Sequence, residues 1–247
     1  MPFLYKILEK VVLHQLLAHL QESNLLNPFQ SAYRTGHSTE TALLLRVAND
    51  MLAAMDEDKI YVLLLLDLPS AFDTIDHQIL LSRLETVFDI CFTALQWFRS
   101  YLLERNQSVV VNNSASCPSP LIFGVPQGSV LGPVLFFLYT APLSDIIASH
   151  SVNRQLFADD TQLQKSAPPN NVQSFARDLQ LCTDDTKSWM CSNQLKLNED
   201  KTEPIRFSTL SLCLLIAYRH QLLLVLTKLH SLTKLGTWFS SLTLTSQ

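Results

Sequence analysis

Residues 156–163, Leu156-Phe157-Ala158-Asp159-Asp160-Thr161-Gln162-Leu163, set two adjacent carboxylates in an apolar frame. Adjacent acids repel, and apolar neighbours make their charge costly unless a cation or hydrogen bonds compensate. An apolar strand, a turn carrying Asp159 and Asp160 and a second strand would form a hairpin with both acids at its tip. An ordinary surface turn accommodates Asp-Asp equally well. The pair therefore constrains the local fold and leaves its purpose open.

The chain has 247 residues, enough for one large domain or two small ones with a substantial core. An apolar fraction of 47% against 16% charged residues excludes a disordered chain, and five glycines fit a helix-rich protein. The net charge of −4 argues against a simple electrostatic nucleic-acid binder. Any nucleic-acid role must rest on local basic patches or on further parts of a longer protein. The five cysteines, Cys91, Cys117, Cys182, Cys191 and Cys213, never form C-x-x-C and read as reduced intracellular thiols. Residues 1–20 carry Lys6, Glu9 and Lys10 and lack the apolar block of a signal peptide. Arg219, His220 and Lys228 interrupt the apolar stretch 210–229, so no membrane span is assigned.

Leu4, Ile7, Leu8, Val11, Val12, Leu16 and Leu20 recur at helical spacing, predicting an amphipathic helix over 4–21 that Asn27-Pro28 ends. Ser38 or Thr39 caps a second helix through Leu43, Val47 and Leu52. The run from Tyr61 to Leu66 reads as a strand buried on both faces, closing on Asp67. Helices follow near 77–87 and 93–103, then strands at 107–112 and 121–123 joined by a polar turn. Residues 124–129 form a loop opening a long apolar helix over 131–148, and a helix over 172–192 follows the acid hairpin. Without regular βαβ alternation, the expected class is α+β.

If Asp67 and the Asp159-Asp160 hairpin are neighbours in one sheet, three carboxylates converge with a charge of about −3, which calls for divalent cations or basic groups. Hard oxygen ligands suit Mg2+, and paired Mg2+ ions serve in-line phosphoryl transfer. Phe72 would border a substrate on such metals, although filling the core is the plain use of a phenylalanine. Gly124, Pro126, Gln127 and Gly128 make a loop whose backbone N–H groups can approach a ligand closely.

Five blocks in order resemble the reverse transcriptases, most closely those of non-LTR (LINE-type) retrotransposons. They are Phe29-Gln30-Ser31-Ala32-Tyr33-Arg34-Thr35-Gly36-His37-Ser38-Thr39-Glu40, the run from Leu66 to His77, the run from Gly124 to Pro133, Phe157-Ala158-Asp159-Asp160, and Trp189 with the segment from Asn193 to Thr202. The resemblance covers about residues 3–208 and implies a right-hand polymerase fold, an antiparallel sheet packed on helices. It further implies partial fingers in 1–58, palm with interleaved fingers elements in 59–207, and a degraded primer-grip or connection tail in 208–247. On this resemblance Asp67, Asp159, Asp160 and the Leu68 carbonyl would hold two Mg2+ ions, with Mn2+ as a substitute. Ser70, Ala71, Phe72, Gln127 and Gly128 would bind the nucleotide, Phe72 excluding a ribose 2′-OH. Arg34 and Lys201 would contact template or nucleotide, and Asp73, Asp76 and His77 would cap and brace the next helix. The implied partners are an RNA or DNA template, a primer and dNTPs, in the nucleus, with no membrane and no protein partner to infer.

The chain departs from the pattern in places. The chain is expected to lack the Arg-Pro segment usual upstream of Met1 and an endonuclease domain, and the tail resembles the primer grip only faintly at Leu235-Gly236-Thr237-Trp238-Phe239-Ser240. Pro69, two residues after Asp67, fixes φ, removes an N–H and restricts Leu68. These departures leave a catalytically inactive remnant as the rival reading. A metal-dependent nuclease would leave Gln127 and Phe72 without a role.

Overall fold

The computed structural model describes residues 3–30, 46–68, 72–103, 105–112, 114–126, 128–157, 160–198 and 201–207. The expectations placed on Arg34, Pro69, Ser70, Ala71, Gln127, Asp159 and the tail 208–247 lie outside these residues. In chain order the elements are α1 (Phe3–Glu22), α2 (Arg46–Asp56), β1 (Ile60–Leu66), α3 (His77–Thr86) and α4 (Phe92–Leu102). Four two-residue strands follow: β2 (Asn106–Gln107), β3 (Val110–Val111), β4 (Ser114–Ala115) and β5 (Ser119–Pro120). Then come α5 (Gly132–Thr140), α6 (Leu143–Ser149), β6 (Asn153–Phe157), β7 (Asp160–Ala167), α7 (Val172–Ser192) and β8 (Glu203–Phe207). The chain divides into two compact units that interleave in sequence. Helices and antiparallel strands mix as the α+β expectation required.

One unit comprises residues 28–69, 142–191 and 196–247, and its described part is built on a four-stranded antiparallel sheet in the order β6-β7-β1-β8. β1 pairs on both edges, with Leu64 opposite Leu163 on one side and Pro204 on the other. A strand paired on both edges and covered on its faces carries apolar residues throughout, which explains the unbroken Leu run. Tyr61 and Leu63 pack with Phe207 against Met51, Ala54 and Met55 of α2. The Tyr61 hydroxyl donates to Gln164 Oε1 at 3.0 Å, which gives these two buried polar atoms a partner in each other. Lys165 of β7 pairs with Asp178 of α7 at 2.7 Å, securing that helix to the sheet.

The other unit comprises residues 1–27, 70–141 and 192–195 and holds α1, α3, α4, α5 and the short strands. Asp76 caps α3, its Oδ1 accepting the N–H groups of Gln78 at 2.8 Å and Ile79 at 3.0 Å. Leu80, Leu84, Leu102, Leu131 and Leu135 are fully buried in this unit's core. Tyr139 of α5 donates its hydroxyl to the Asn193 carbonyl at 2.6 Å. Arg83 of α3 reaches the Tyr139 carbonyl and Asn193 Oδ1 and stacks over the Tyr139 ring at 4.7 Å.

Several sequence-based expectations need correction. The predicted helix 131–148 is two helices, because Pro142 lacks an N–H and its ring obstructs the preceding turn. The strands predicted at 107–112 and 121–123 are two short ribbons, β2 with β5 and β3 with β4, while Phe123 only bridges Asp76. The first helix, Phe3–Glu22, keeps the predicted bounds of 4–21, but a left-handed Asn24 at φ 53° follows its end well before Asn27-Pro28. Its apolar stripe is buried only in part: Leu16 and Leu20 are buried, while Leu4, Ile7, Leu8 and Val11 are exposed and Glu9 is buried. Among the described residues, one helical stretch, Gly132–Ser149, is long and apolar enough to cross a membrane, and 61% of it is buried inside the protein.

Candidate active site

The β1–β7 register ends with Leu66 opposite Thr161, so Asp67 follows the last paired residue of β1 and Asp160, the first residue of β7, precedes its partner. Phe157 pairs with Asp160 across the β6–β7 hairpin, so the hairpin that carries Asp160 ends where β1 delivers Asp67.

Asp67 is held by a segment that follows α7. Its carbonyl accepts the Asn198 N–H at 3.0 Å, and its Oδ2 accepts the Asn198 side-chain amide at 3.1 Å. Lys201 Nζ stands 3.8 Å from the same oxygen. Thr202 Oγ1 donates to the Asn198 carbonyl at 2.7 Å and Lys201 N–H donates to it at 3.2 Å, which fixes the segment's geometry. Both side-chain contacts on Asp67 fall on Oδ2, and its side chain is 31% exposed, so a carboxylate oxygen is accessible to a cation. Asp160 is exposed. An oxygen-only donor set of this kind fits Mg2+ or Mn2+ and suits no softer metal. Among the described residues no three His, Cys, Asp or Glu are grouped to hold a metal. Leu68, whose carbonyl was expected to join the ligands, has a buried side chain.

Asn198 was missed as a site residue, although it stands in a quoted block. The spacing Asn-x-x-Lys-Thr, a turn-forming amide followed by a cation, was the available signal.

The helical unit presents a second set of residues. Gly124 N–H donates to the Ile75 carbonyl at 2.8 Å, and Val125 N–H donates to the Phe72 carbonyl at 3.0 Å. His77 Nε2 lies 2.7 Å from the Gly124 carbonyl, the buried brace expected of this histidine, while its Nδ1 has no hydrogen-bond partner among the described residues. Gly124 has φ +79°, and a Cβ there would meet Asp73 backbone atoms at 3.1 Å, so only glycine fits. Gly128 has φ +72° with no atom within 4 Å of an added Cβ, so its backbone angle and not crowding selects glycine. Phe72 packs at a tilt on Phe136, ring centroids 5.4 Å apart. The exposed edge of its segment lines a cavity of about 380 Å3 with Asp73, Pro126, Gly128 and Ser129.

A mixed helical and antiparallel-sheet fold, with Asp67 just past β1 and Asp160 opening β7, is consistent with a palm-and-fingers polymerase fold. The family described as "Reverse transcriptase (RNA-dependent DNA polymerase)" matches residues 1–237, and the chain belongs to that family. It is 32% identical over 204 residues to the probable RNA-directed DNA polymerase from transposon BS of Drosophila melanogaster, covering 81% of this chain and 22% of that protein. It is 29% identical over 213 residues to the RNA-directed DNA polymerase from mobile element jockey of the same fly, covering 84% of this chain and 23% of that protein. These relatives place it with the reverse transcriptase domains of LINE-type elements, and it spans less than a quarter of their length. Among solved structures, telomerase from Candida tropicalis in complex with a telomeric RNA fragment matches with TM-score 0.60 at 13% identity, over 80% of this chain and 33% of that one. An apo form of the same telomerase, truncated from its C-terminal domain, matches with TM-score 0.58 at 15% identity, over 82% and 41%. At such identities the likeness is one of fold.

Proposed function

We propose that this chain carries the nucleotidyl-transfer site of an RNA-directed DNA polymerase, extending a primer 3′-hydroxyl with dNTPs on an RNA or DNA template. The observation that supports the reading is the β1–β7 register, whose last pair, Leu66 with Thr161, is flanked by Asp67 on one strand and Asp160 on the other. Asp67, Asp159, Asp160 and the Leu68 carbonyl would hold two Mg2+ or Mn2+ ions. Bound there, the ions would supply Lewis acidity at the primer hydroxyl and at the triphosphate. Asn198 fixes the Asp67 carboxylate in one orientation by using its Oδ2, while the Lys201 ammonium offsets part of the local negative charge.

In the helical unit, Phe72 backs the cavity that takes the sugar, where an aromatic wall leaves no room for a 2′-OH. By family resemblance Ser70 and Ala71 would bind the triphosphate, Gln127 and Gly128 the base and sugar, and Arg34 the template or nucleotide. The palm corresponds to the sheet-bearing unit on this reading.

Primer extension by the purified chain, compared with Asp67→Asn and Asp160→Asn, tests the proposal. Extension that falls on the order of a hundredfold or more in both variants is the expected result. Folded wild-type chain that extends no primer with either Mg2+ or Mn2+ would sink it, and would favour the inactive remnant.

A further inference from the structure

The stretches on either side of residue 127, Gly124–Pro126 and Gly128–Leu131, are each fastened. At the first the fastening is His77 and the Ile75 carbonyl, described above. At the second the anchor comes from α1, more than a hundred residues away in sequence. Glu9 is only 1% exposed, although Leu8 and Val11 on the same helix are exposed. Its Oε2 accepts the Val130 N–H at 2.7 Å and its Oε1 accepts the Tyr101 hydroxyl at 2.6 Å. Both distances are those of charge-assisted hydrogen bonds. Tyr101 is buried and fixed by rings, stacked on Tyr5 at 6.0 Å and on Trp97 at 5.3 Å.

A carboxylate withdrawn from water is costly unless its oxygens are used, and an apolar residue would fill the same helix position at less cost. Packing alone therefore gives no reason for an acid here. Val130 stands just before α5, where aligned peptide dipoles favour an anion. Ser129 Oγ completes this helix entry by accepting the Gly132 N–H at 2.8 Å. Gly128 and Ser129, next in chain to Val130, line the Phe72 cavity.

We propose that Glu9 is a positioning residue for nucleotide selection: by holding the Val130 N–H and the Tyr101 hydroxyl together, it fixes the Gly128–Leu131 backbone along the wall of the Phe72 cavity. The part of this concerning the nucleotide rests on the polymerase reading; the fastening itself does not. Glu9 touches no substrate, and its influence passes through Val130.

The test compares the full wild-type chain with Glu9→Ala, Glu9→Gln and Tyr101→Phe in two readouts. By residue-resolved amide exchange, Glu9→Ala should speed exchange at Val130 about tenfold or more, with amides of β1 unchanged. In primer extension it should raise KM for dNTP about tenfold, while kcat and KM for primer–template stay within about twofold. Glu9→Gln keeps an acceptor for Val130 and should restore most of both values. Tyr101→Phe loosens Glu9 without removing it and should speed Val130 exchange about threefold, which keeps the test open if Glu9→Ala fails to fold. If the wild type extends no primer, the polymerase reading fails and Val130 exchange still decides the fastening. Exchange at Val130 that is unchanged in the variants, or that rises equally at every amide, overturns the proposal.

Discussion

Asn198 contributes two hydrogen bonds to Asp67, one from its backbone and one from its side chain, and a substitution removes only the second. Asn198→Ala should cost about 1–2 kcal/mol of stability and lower primer extension about tenfold, because one carboxylate oxygen loses its fixed donor. Asn198→Asp should do worse on activity, since it sets a like charge 3.1 Å from where the amide now donates. Urea unfolding and extension rates, measured together, separate these effects; equal activity in all three proteins would remove Asn198 from the site. The two left-handed glycines make a second contrast at this scale. Gly128→Ala meets open space and bears only its backbone strain, about 1 kcal/mol. Gly124→Ala adds a collision with the Asp73 backbone and should cost about 2–3 kcal/mol or more. Equal unfolding midpoints for the two variants would show that the 3.1 Å crowding carries no weight.

The capped start of α3 gives the clearest prediction among the elements. Asp76 satisfies two of the orphan N–H groups there, so Asp76→Ala should lower stability by about 1 kcal/mol, and Asp76→Asn or Asp76→Ser should restore most of it. A melting temperature unaffected by Asp76→Ala would mean that water replaces the cap. Local periodicity made most elements legible. The Tyr61–Leu66 run, the acid-bearing hairpin and the helices near 77–87, 93–103 and 172–192 all lie close to where residue pattern places them. What pattern could not supply was a competition between residues distant in sequence. The apolar stripe of α1 predicts the burial of Leu16 and Leu20, but not that of Glu9, whose partners lie at 101 and 130. The break at Pro142 was readable from proline chemistry alone, but the apolar run across it reads as one helix. The candidate acids were legible by type and block order. The pairing of β1 with β7 needed the three-dimensional register, and the hydrogen bonds of Asn198 to Asp67 needed the segment after α7 to return to β1.

At the scale of the whole molecule, each unit buries groups that resist losing a proton. Burial pushes the hydroxyls of Tyr61 in the sheet-bearing unit and Tyr101 in the helical unit well above the ordinary tyrosine range, and raises that of Tyr139 as well. Burial pushes the Cys182 thiol of α7 up to about 11 from an ordinary 9.0. In the unfolded chain these groups regain ordinary values, so from about pH 9 upward the unfolded state sheds protons that the folded state keeps. Stability is then whole below pH 9 and is lost as pH rises through 11, the thiol contributing first and the tyrosines extending the loss above 10. A single such group changes unfolding free energy by at most about 1.4 kcal/mol per pH unit. Urea midpoints should therefore be level near pH 8 and fall between pH 9 and 11. Cys182→Ala should flatten the first part of that fall and leave the later, tyrosine-driven part in place. Alkylation gives an independent check: exposed Cys117 and Cys191 should react with iodoacetamide in the native state, while Cys182 reacts only on unfolding. A Cys182 thiol modified at the same rate as Cys117 in native protein at pH 8 would refute both its burial and its part in the alkaline limit.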